Sequence, residues 1–205
     1  MATLPTAAFK LHGGCFCNAI TYTISVPDLT SRPLNPSKPS KPLGPRNEVN
    51  ARLPCIALDH CTTCRRIPGS ILQVWFICPQ SWAEFSLQPR SHDTATTPIK
   101  ISTSEFLLPD KDVQERTWVT GFQSSEFAHR TFCGRCGTHL SFFYTGLDQK
   151  LAEEANWGPY FDLVLGSLNK ESLEVEGLWP DRQVWVGSGI EWVKQLVAEG
   201  EGSLC

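Results

Sequence analysis

The chain has 205 residues, nine cysteines and a formal net charge of −3. A chain of this length fits one domain or a small pair, and it buries enough surface to fold without disulfides. The slight negative charge argues against a surface for nucleic acids or anionic membranes, and no apolar run reaches the ~20 residues that span a bilayer.

The compartment follows from the start of the sequence and from its cysteines. The first residues lack the apolar core and cleavage site of a signal peptide. We therefore expect a cytoplasmic protein. Cysteines stay reduced there, and clustered cysteines bind metal more often than they pair as disulfides.

Short strand-type segments dominate the chain. Residues 18–26 alternate polar and apolar side chains and include β-branched residues, which predicts a half-buried strand. Since helical patterns are scarce and no repeat is present, we predict one mainly β domain over residues 1–205. Six further runs resemble strands: residues 70–78, 100–108, 115–122, 139–146, 161–168 and 182–188.

Two segments have helical character. Residues 148–157 predict a turn or two of helix. Residues 189–200 predict a short amphipathic helix that ends at a glycine. Four apolar side chains share one stripe of that helix: Ile190, Val193, Leu196 and Val197.

Two stretches interrupt the strands. About residues 28–52 are proline-rich and lack apolar periodicity, which predicts an exposed, extended insertion. About residues 88–100 form a second, polar loop. Such insertions are usually tolerated surface features, and the alternative is that they rim a binding site.

Six of the cysteines occur as three close pairs. The first pair encloses one residue in a strand-like stretch, where side chains at i and i+2 point the same way. Each of the other two has the Cys-x-x-Cys spacing, which lets one tight turn aim both sulfurs at one ion. Three such pairs in a reduced chain predict zinc binding. The pairs are Cys15 and Cys17, Cys61 and Cys64, and Cys133 and Cys136.

Six sulfurs do not divide into two four-cysteine sites. Structural zinc takes four protein ligands, whereas catalytic zinc takes three and keeps one position open. One combination of two pairs completes a structural site, and the spacing leaves open which two. Asp59 precedes Cys61 by two residues, so Asp59, Cys61 and Cys64 can form a three-ligand site. His60 would then point to the opposite face.

The remaining candidates have simpler interpretations. We expect His60 and His139 to pack or to form hydrogen bonds rather than to bind metal. Cys55 and Cys78 lie in apolar runs, where a free cysteine behaves as a small apolar side chain. The arginine pair at 65–66 is either solvated surface charge or a site for an anionic substrate.

The cysteine motifs together resemble the glutathione-dependent formaldehyde-activating family, which includes centromere protein V. In chain order they read GGCFCNAITY, HCTTCRRIPGS and RTFCGRCGTHLSF, and the later stretch WPDRQVWVGSGIEWV is similar to the family's C-terminal segment. The resemblance implies a β-tent, a fold of several coiled antiparallel sheets around two zinc ions. The structural zinc would be held by Cys15, Cys17, Cys133 and Cys136.

The middle motif departs from the family pattern. Where the family has Cys-His-Cys-x-x-Cys, this chain has Asp59 in the first position. The resemblance implies that Asp59, Cys61 and Cys64 hold the catalytic zinc and form the catalytic site. A carboxylate keeps three ligands and the same formal charge, but it is a harder donor than a thiolate. We therefore expect a stronger Lewis acid that favours water or carbonyl activation.

Three functions are compatible with these residues. The resemblance implies a zinc-dependent carbon–sulfur lyase that activates a thiol or carbonyl in a small-molecule substrate such as a glutathione conjugate. Alternatively, the same zinc site catalyses elimination, isomerisation or hydrolysis of a larger biosynthetic molecule, or the chain is a non-enzymatic zinc interaction module. The sequence has no basic extension to support a chromatin role, so we expect an enzyme that binds neither nucleic acid nor membrane.

Overall fold

The fold is known from a computed structural model that describes residues 2–35, 40–90, 97–146 and 157–200. These residues form two β-sheets with a few short helices. The mainly β class predicted from the sequence is confirmed. Among the described helices, none is long and apolar enough to cross a membrane.

The strands are short and follow one another closely along the chain. In order they are β1 (Phe9–Gly14), β2 (Ile20–Val26), β3 (Lys41–Pro42), β4 (Cys55–Asp59), β5 (Gln73–Pro79), β6 (Ala83–Leu87), β7 (Ile99–Ile101), β8 (Val119–Ser125), β9 (Ala128–Cys133), β10 (His139–Tyr144), β11 (Tyr160–Val164) and β12 (Arg182–Val184).

The strands divide between a four-stranded and an eight-stranded sheet. The small sheet has the order β1-β2-β6-β7, and the large sheet has the order β3-β12-β4-β5-β11-β10-β9-β8. Neighbouring strands are antiparallel except for β12 and β4, which run parallel. The alternating burial of β2 confirms the half-buried strand predicted over residues 18–26.

The two sheets share one hydrophobic core. Phe76 and Phe161 project from the large sheet into this core, and Phe85 of the small sheet contacts the Phe161 ring at 6.3 Å between centroids. Because side chains alternate along a strand, the neighbours Trp75 and Asp162 project from the opposite face of the large sheet. That second face carries the cavity described below.

The described α-helices are α1 (Thr62–Arg66), α2 (Thr103–Leu107), α3 (Lys111–Arg116), α4 (Lys170–Leu173) and α5 (Glu191–Gly200). The continuous strand predicted over residues 100–108 is wrong, because Ser102 ends β7 and begins α2. Its hydroxyl accepts a hydrogen bond from the Glu105 backbone N–H, and the Glu105 carboxylate accepts one from the Ser102 N–H. This capping box favours a helix start over a continuing strand. The strand predicted over residues 115–122 begins only at Val119, after α3.

Parts of the proline-rich segment, about residues 28–52, pack against the rest of the fold, whereas the sequence predicts an exposed insertion. Lys41 and Pro42 pair with β12 at the edge of the large sheet, and they are exposed. Arg32 and Asn35, however, are buried. The Arg32 guanidinium donates a 2.8 Å hydrogen bond to the Pro27 carbonyl, so the expectation of an exposed insertion is wrong for these two residues.

The helix predicted over residues 189–200 is present as α5, and within its stripe Val193 is buried whereas Leu196 is exposed. The turn predicted over residues 148–157 lies outside the described residues except for Trp157. Residues 91–96 of the polar loop also lie outside them.

Candidate metal centres and the adjoining cavity

Cys15 and Cys17 lie in the tight turn between β1 and β2, not in a strand as the sequence indicated. The Asn18 N–H donates to the Cys15 carbonyl at 2.9 Å, and Asn18 has a φ of 57°. A Cβ atom on Gly14 would lie 2.3 Å from the Ile20 carbonyl oxygen, so the turn needs glycine there. The turn, rather than strand alternation, brings the two sulfurs to 3.6 Å from each other.

Cys133 and Cys136 lie at the end of β9 and in the turn that follows it. Gly137 closes this turn with a φ of 77°, and its N–H donates to the Cys133 carbonyl at 2.8 Å. The Cys17 and Cys133 sulfurs lie 3.7 Å apart. All four sulfurs, including that of Cys15, lie within 4.8 Å of one another, so this cluster can hold a metal ion.

A bound metal ion would change the charge state of these thiols. Burial raises the pKa of Cys15 and of Cys133. At Cys136 burial also raises the pKa, but hydrogen bonds with Thr138, with the Cys17 backbone and with the Cys133 side chain together outweigh it and lower the pKa to about 6. Thiolates at such short separations repel one another. A metal ion would therefore stabilise the fully ionised cluster.

Asp59, Cys61 and Cys64 come together where β4 leads into α1. Asp59 is the last residue of β4, Cys61 is the N-cap residue of α1, and Cys64 is buried within that helix. One donor atom from each lies within 4.8 Å of the other two, so this cluster can also hold a metal ion. The three-residue group expected from the sequence is thus assembled.

Asp59 is held in a fixed orientation. It is 3% exposed. The Trp75 indole N–H donates to Oδ2 at 2.8 Å, and the Cys61 backbone N–H donates to Oδ1 at 2.8 Å. Each carboxylate oxygen keeps a lone pair that the two donors do not use. The carboxylate is therefore oriented before any ligand binds.

Arg130 belongs to this site, although the sequence analysis did not identify it. Its side chain is 2% exposed, and Nη2 donates to the Cys64 sulfur at 3.3 Å. Burial raises the pKa of Cys64, the Asp59 charge adds to the rise, and Arg130 opposes it. Arg130 lies 66 residues after Cys64 in the chain. Strand pairing brings the two side chains together, and sequence spacing does not reveal that pairing. The arginine pair at 65–66 does not line the cavity.

A cavity of about 720 Å³ adjoins the Asp59 cluster on the face of the large sheet opposite the core. Its floor is a row of cross-strand neighbours, which share one face of a sheet: Cys55, Ile77, Asp162, Phe142 and Arg130. The aromatic side chains that line the cavity are Trp75, Phe142, Tyr144, Trp157, Tyr160 and Trp185.

Asp162 is the second carboxyl group of the cavity, and the sequence analysis did not identify it. Burial raises its pKa to about 8; the Asp59 charge adds to the rise, and Arg130 opposes it. An uncharged carboxyl group can donate a hydrogen bond, which a carboxylate cannot. With its pKa raised in this way, the Asp162 carboxyl group can donate a hydrogen bond into the cavity when no cation is bound nearby.

The remaining candidates have structural contacts. His60 Nε2 lies 2.8 Å from the Gln183 side-chain oxygen, and His139 Nε2 lies 3.1 Å from the Ser141 carbonyl. Neither histidine belongs to a metal cluster of the described chain. Cys55 and Cys78 are buried in strands. The predicted hydrogen bonding of both histidines and the apolar packing of Cys78 are confirmed. Cys55 differs from its prediction, because it accepts a 2.6 Å hydrogen bond from the Asn35 side chain and lines the cavity.

Comparison with known proteins adds no assignment: no protein-family model matches the chain, and no curated protein matches it significantly.

Proposed function

We propose that the chain is a zinc-dependent enzyme with the β-tent fold of the glutathione-dependent formaldehyde-activating family. The observation that carries this proposal is the contrast between the two clusters. One has four thiols and does not line the cavity, whereas the other has only three donors and does. A closed set of four suits a structural ion, and an open set of three suits a catalytic one.

The sulfur separations support zinc in the four-cysteine cluster. Four sulfurs about 2.3 Å from one ion in a tetrahedron lie about 3.8 Å apart. The separations of 3.6 Å and 3.7 Å between neighbouring sulfurs are close to this value. Cysteines must stay reduced to bind zinc, which favours a reducing compartment such as the cytoplasm.

The Asp59 cluster would hold the catalytic zinc and leave one position open to the cavity. A zinc ion bound there supplies a Lewis acid for a thiol or carbonyl group. Trp75 and the Cys61 backbone orient the Asp59 carboxylate, and Arg130 offsets negative charge at Cys64. Asp162 would offer a second carboxyl group for hydrogen bonding to substrate. Making or breaking a carbon–sulfur bond in a small molecule fits this arrangement.

The volume of the cavity favours a second candidate reaction. About 720 Å³ is in the range of sites that enclose drug-sized molecules. Elimination, isomerisation or hydrolysis of a larger organic substrate would use the same ion and the same orienting residues. A non-enzymatic interaction module would not need such a cavity beside an open metal site.

Metal analysis of the purified chain tests the proposal. We expect two zinc ions per chain, of which a mild chelator removes one, because three ligands hold zinc less tightly than four thiolates do. Cys64→Ser should lose the labile ion, and Cys55→Ala, a matched change at a cavity cysteine outside the cluster, should keep both. One zinc or none under reducing, zinc-replete conditions would contradict the proposal.

Activity then separates the two candidate reactions. Glutathione and formaldehyde are the first substrates to test, with Cys64→Ser as the inactive control. Turnover that disappears with the labile zinc would support carbon–sulfur chemistry. Two bound zinc ions without this activity would favour the larger substrate.

A further inference from the structure

We propose, on the basis of the proposed function, that the cavity binds a planar aromatic carboxylate, with its ring against Trp157 and Trp185 and its carboxylate directed to Arg130. Two independent features carry this inference. One is the conformation of the aromatic residues that line the cavity, and the other is the incomplete hydrogen bonding of a buried arginine.

Trp185 is held in a conformation that a bulky residue rarely adopts. Its φ and ψ are 56° and 32°, in the left-handed region, and its side chain is 66% exposed although it lines the cavity. Such backbone conformations concentrate at functional sites. An exposed indole beside a cavity presents an apolar face to a ligand rather than to the core.

Trp157 supplies a second, fixed aromatic surface. Its indole N–H donates to the Leu34 carbonyl at 2.8 Å, and its ring meets the Tyr160 ring edge-to-face at 5.6 Å. The hydrogen bond limits rotation of the ring. Aromatic side chains that are held in place bind planar ligands at a low entropic penalty.

Arg130 has a donor group without an acceptor. Nε donates to the Ser124 hydroxyl and Nη2 to the Cys64 sulfur, but Nη1 is buried and has no hydrogen-bond partner in the described part of the chain. The guanidinium lies over the Phe142 ring, 4.6 Å from its centroid, and forms no ion pair with a described carboxylate. A buried charged donor without an acceptor is unfavourable.

Arg182, the other arginine that lines the cavity, differs from Arg130 because it is hydrogen-bonded to a carboxylate. Arg182 forms two hydrogen bonds to the Asp181 carboxylate, at 2.7 Å and 3.1 Å. Its charge is therefore compensated within the protein. Since a guanidinium matches a carboxylate in geometry as well as in charge, Arg130 is the group that would select an anionic ligand over a neutral one.

Calorimetric titration of the full zinc-loaded chain with naphthoate and with naphthylmethanol tests the inference. The two probes share a ring system and differ in charge. We expect naphthoate to bind about 10–100-fold more tightly, the range expected for a hydrogen bond to a charged group. Equal affinities, or no binding of either probe, would overturn the inference.

Two variants test which residues bind the probes and cause the preference for naphthoate. Arg130→Gln should reduce naphthoate to the affinity of naphthylmethanol and leave the latter unchanged. Trp185→Ala, a change at a side chain that is 66% exposed, should weaken binding of both probes about 3–10-fold through lost aromatic contact. If Arg130→Gln does not fold, Trp185→Ala still decides: unchanged affinity for both probes would overturn the inference.

Repeating the titration after mild chelation excludes direct binding of the carboxylate to the metal. The naphthoate preference should persist in wild type without its labile zinc. A preference that disappears with the zinc but survives in Arg130→Gln would overturn the inference. Counting zinc in the same samples keeps the two proposals distinct. Two zinc ions without naphthoate binding would contradict only this inference. Naphthoate binding without a second zinc ion would contradict only the proposed zinc-dependent function.

Discussion

In the proposed function, the chemistry of the second cluster depends on Asp59. Both of its oxygens accept hydrogen bonds, from Trp75 and from the Cys61 backbone. These contacts fix the carboxylate where a third metal ligand is needed. A carboxylate oxygen of Asp59 lies within 4.8 Å of both the Cys61 and the Cys64 sulfur. An aspartate that acted only as a base beside the metal would not need to lie so close to both thiols.

We predict that Asp59→Ala weakens zinc binding at this site by at least about 10–100-fold, the loss typical even for a residue that only hydrogen-bonds to a metal ligand. Asp59→Cys should retain zinc, because it restores three thiolates, but should lose much of the native activity with a softer donor set. Competition with a chromogenic chelator measures both affinities. If Asp59→Ala keeps its zinc and loses only turnover, by roughly 10²–10⁴-fold, Asp59 is a general base instead.

Asp162 gives the stability of the protein a defined pH dependence. Burial raises its pKa from 3.8 to about 8 on folding, so the folded state binds more protons than the unfolded state between these values. The free energy of unfolding contributed by this group therefore falls as the pH rises through that window. Asp59 and Arg130 are the charged groups that act on it.

We predict that Asp162→Asn, which cannot ionise, raises the melting temperature relative to wild type, and by more at pH 8 than at pH 5. Both proteins are compared after mild chelation, because a nearby cation would lower the pKa of Asp162. Thermal unfolding followed by circular dichroism measures the difference. An equal shift at both pH values would show that Asp162 ionises normally in the folded protein.

The sequence predicts which residues come together as potential metal ligands well, and it predicts their surroundings poorly. Asp59, Cys61 and Cys64 are close in the chain, so their spacing alone indicates a site. Arg130 and Asp162 reach the same site only because β9, β10, β11 and β5 pair in a particular register. No periodicity in the sequence encodes that register.

At the scale of single elements, α2 shows how a local signal overrides a strand pattern. The alternation in residues 100–108 resembles a strand, yet Ser102 and Glu105 form a capping box that begins a helix. The spacing of these two residues was readable in the sequence. The helix then places Phe106 on Phe85 of the small sheet, with ring centroids 3.8 Å apart.

We predict that Ser102→Ala lowers the free energy of unfolding by about 1 kcal/mol, since the N-cap hydrogen bond is lost. Phe106→Ala should cost about 3–5 kcal/mol through lost burial and the remaining space. Ser81→Ala, at an exposed serine outside this helix, is the matched control and should change stability by less than about 0.5 kcal/mol. Urea denaturation measures all three. A Ser102→Ala effect no larger than that of the control would contradict the role of the cap.

At the scale of the whole molecule, the four-cysteine cluster joins the two sheets. Cys15 and Cys17 belong to the hairpin of the small sheet, and Cys133 and Cys136 belong to the β9–β10 hairpin of the large sheet. The spacing of the cysteines left the choice of pairs open, and the family resemblance indicated this one. The structure brings these two pairs together because each closes a tight turn at the same end of the shared core.

Because the four-cysteine cluster lies between the two sheets, we predict that ligand substitutions in the two clusters affect stability differently. If the proposed zinc links the two sheets, Cys133→Ser leaves only three thiols to hold it, so we expect a loss of several kcal/mol from a total stability of about 5–15 kcal/mol. Cys61→Ser changes a ligand at the edge of the cavity and should leave a folded protein without its labile zinc. Hydrogen exchange distinguishes them: Cys133→Ser should raise exchange in both hairpins, and Cys61→Ser only around residues 59–66. If both variants unfold to the same extent, both ions are structural and the catalytic role of the Asp59 cluster is wrong.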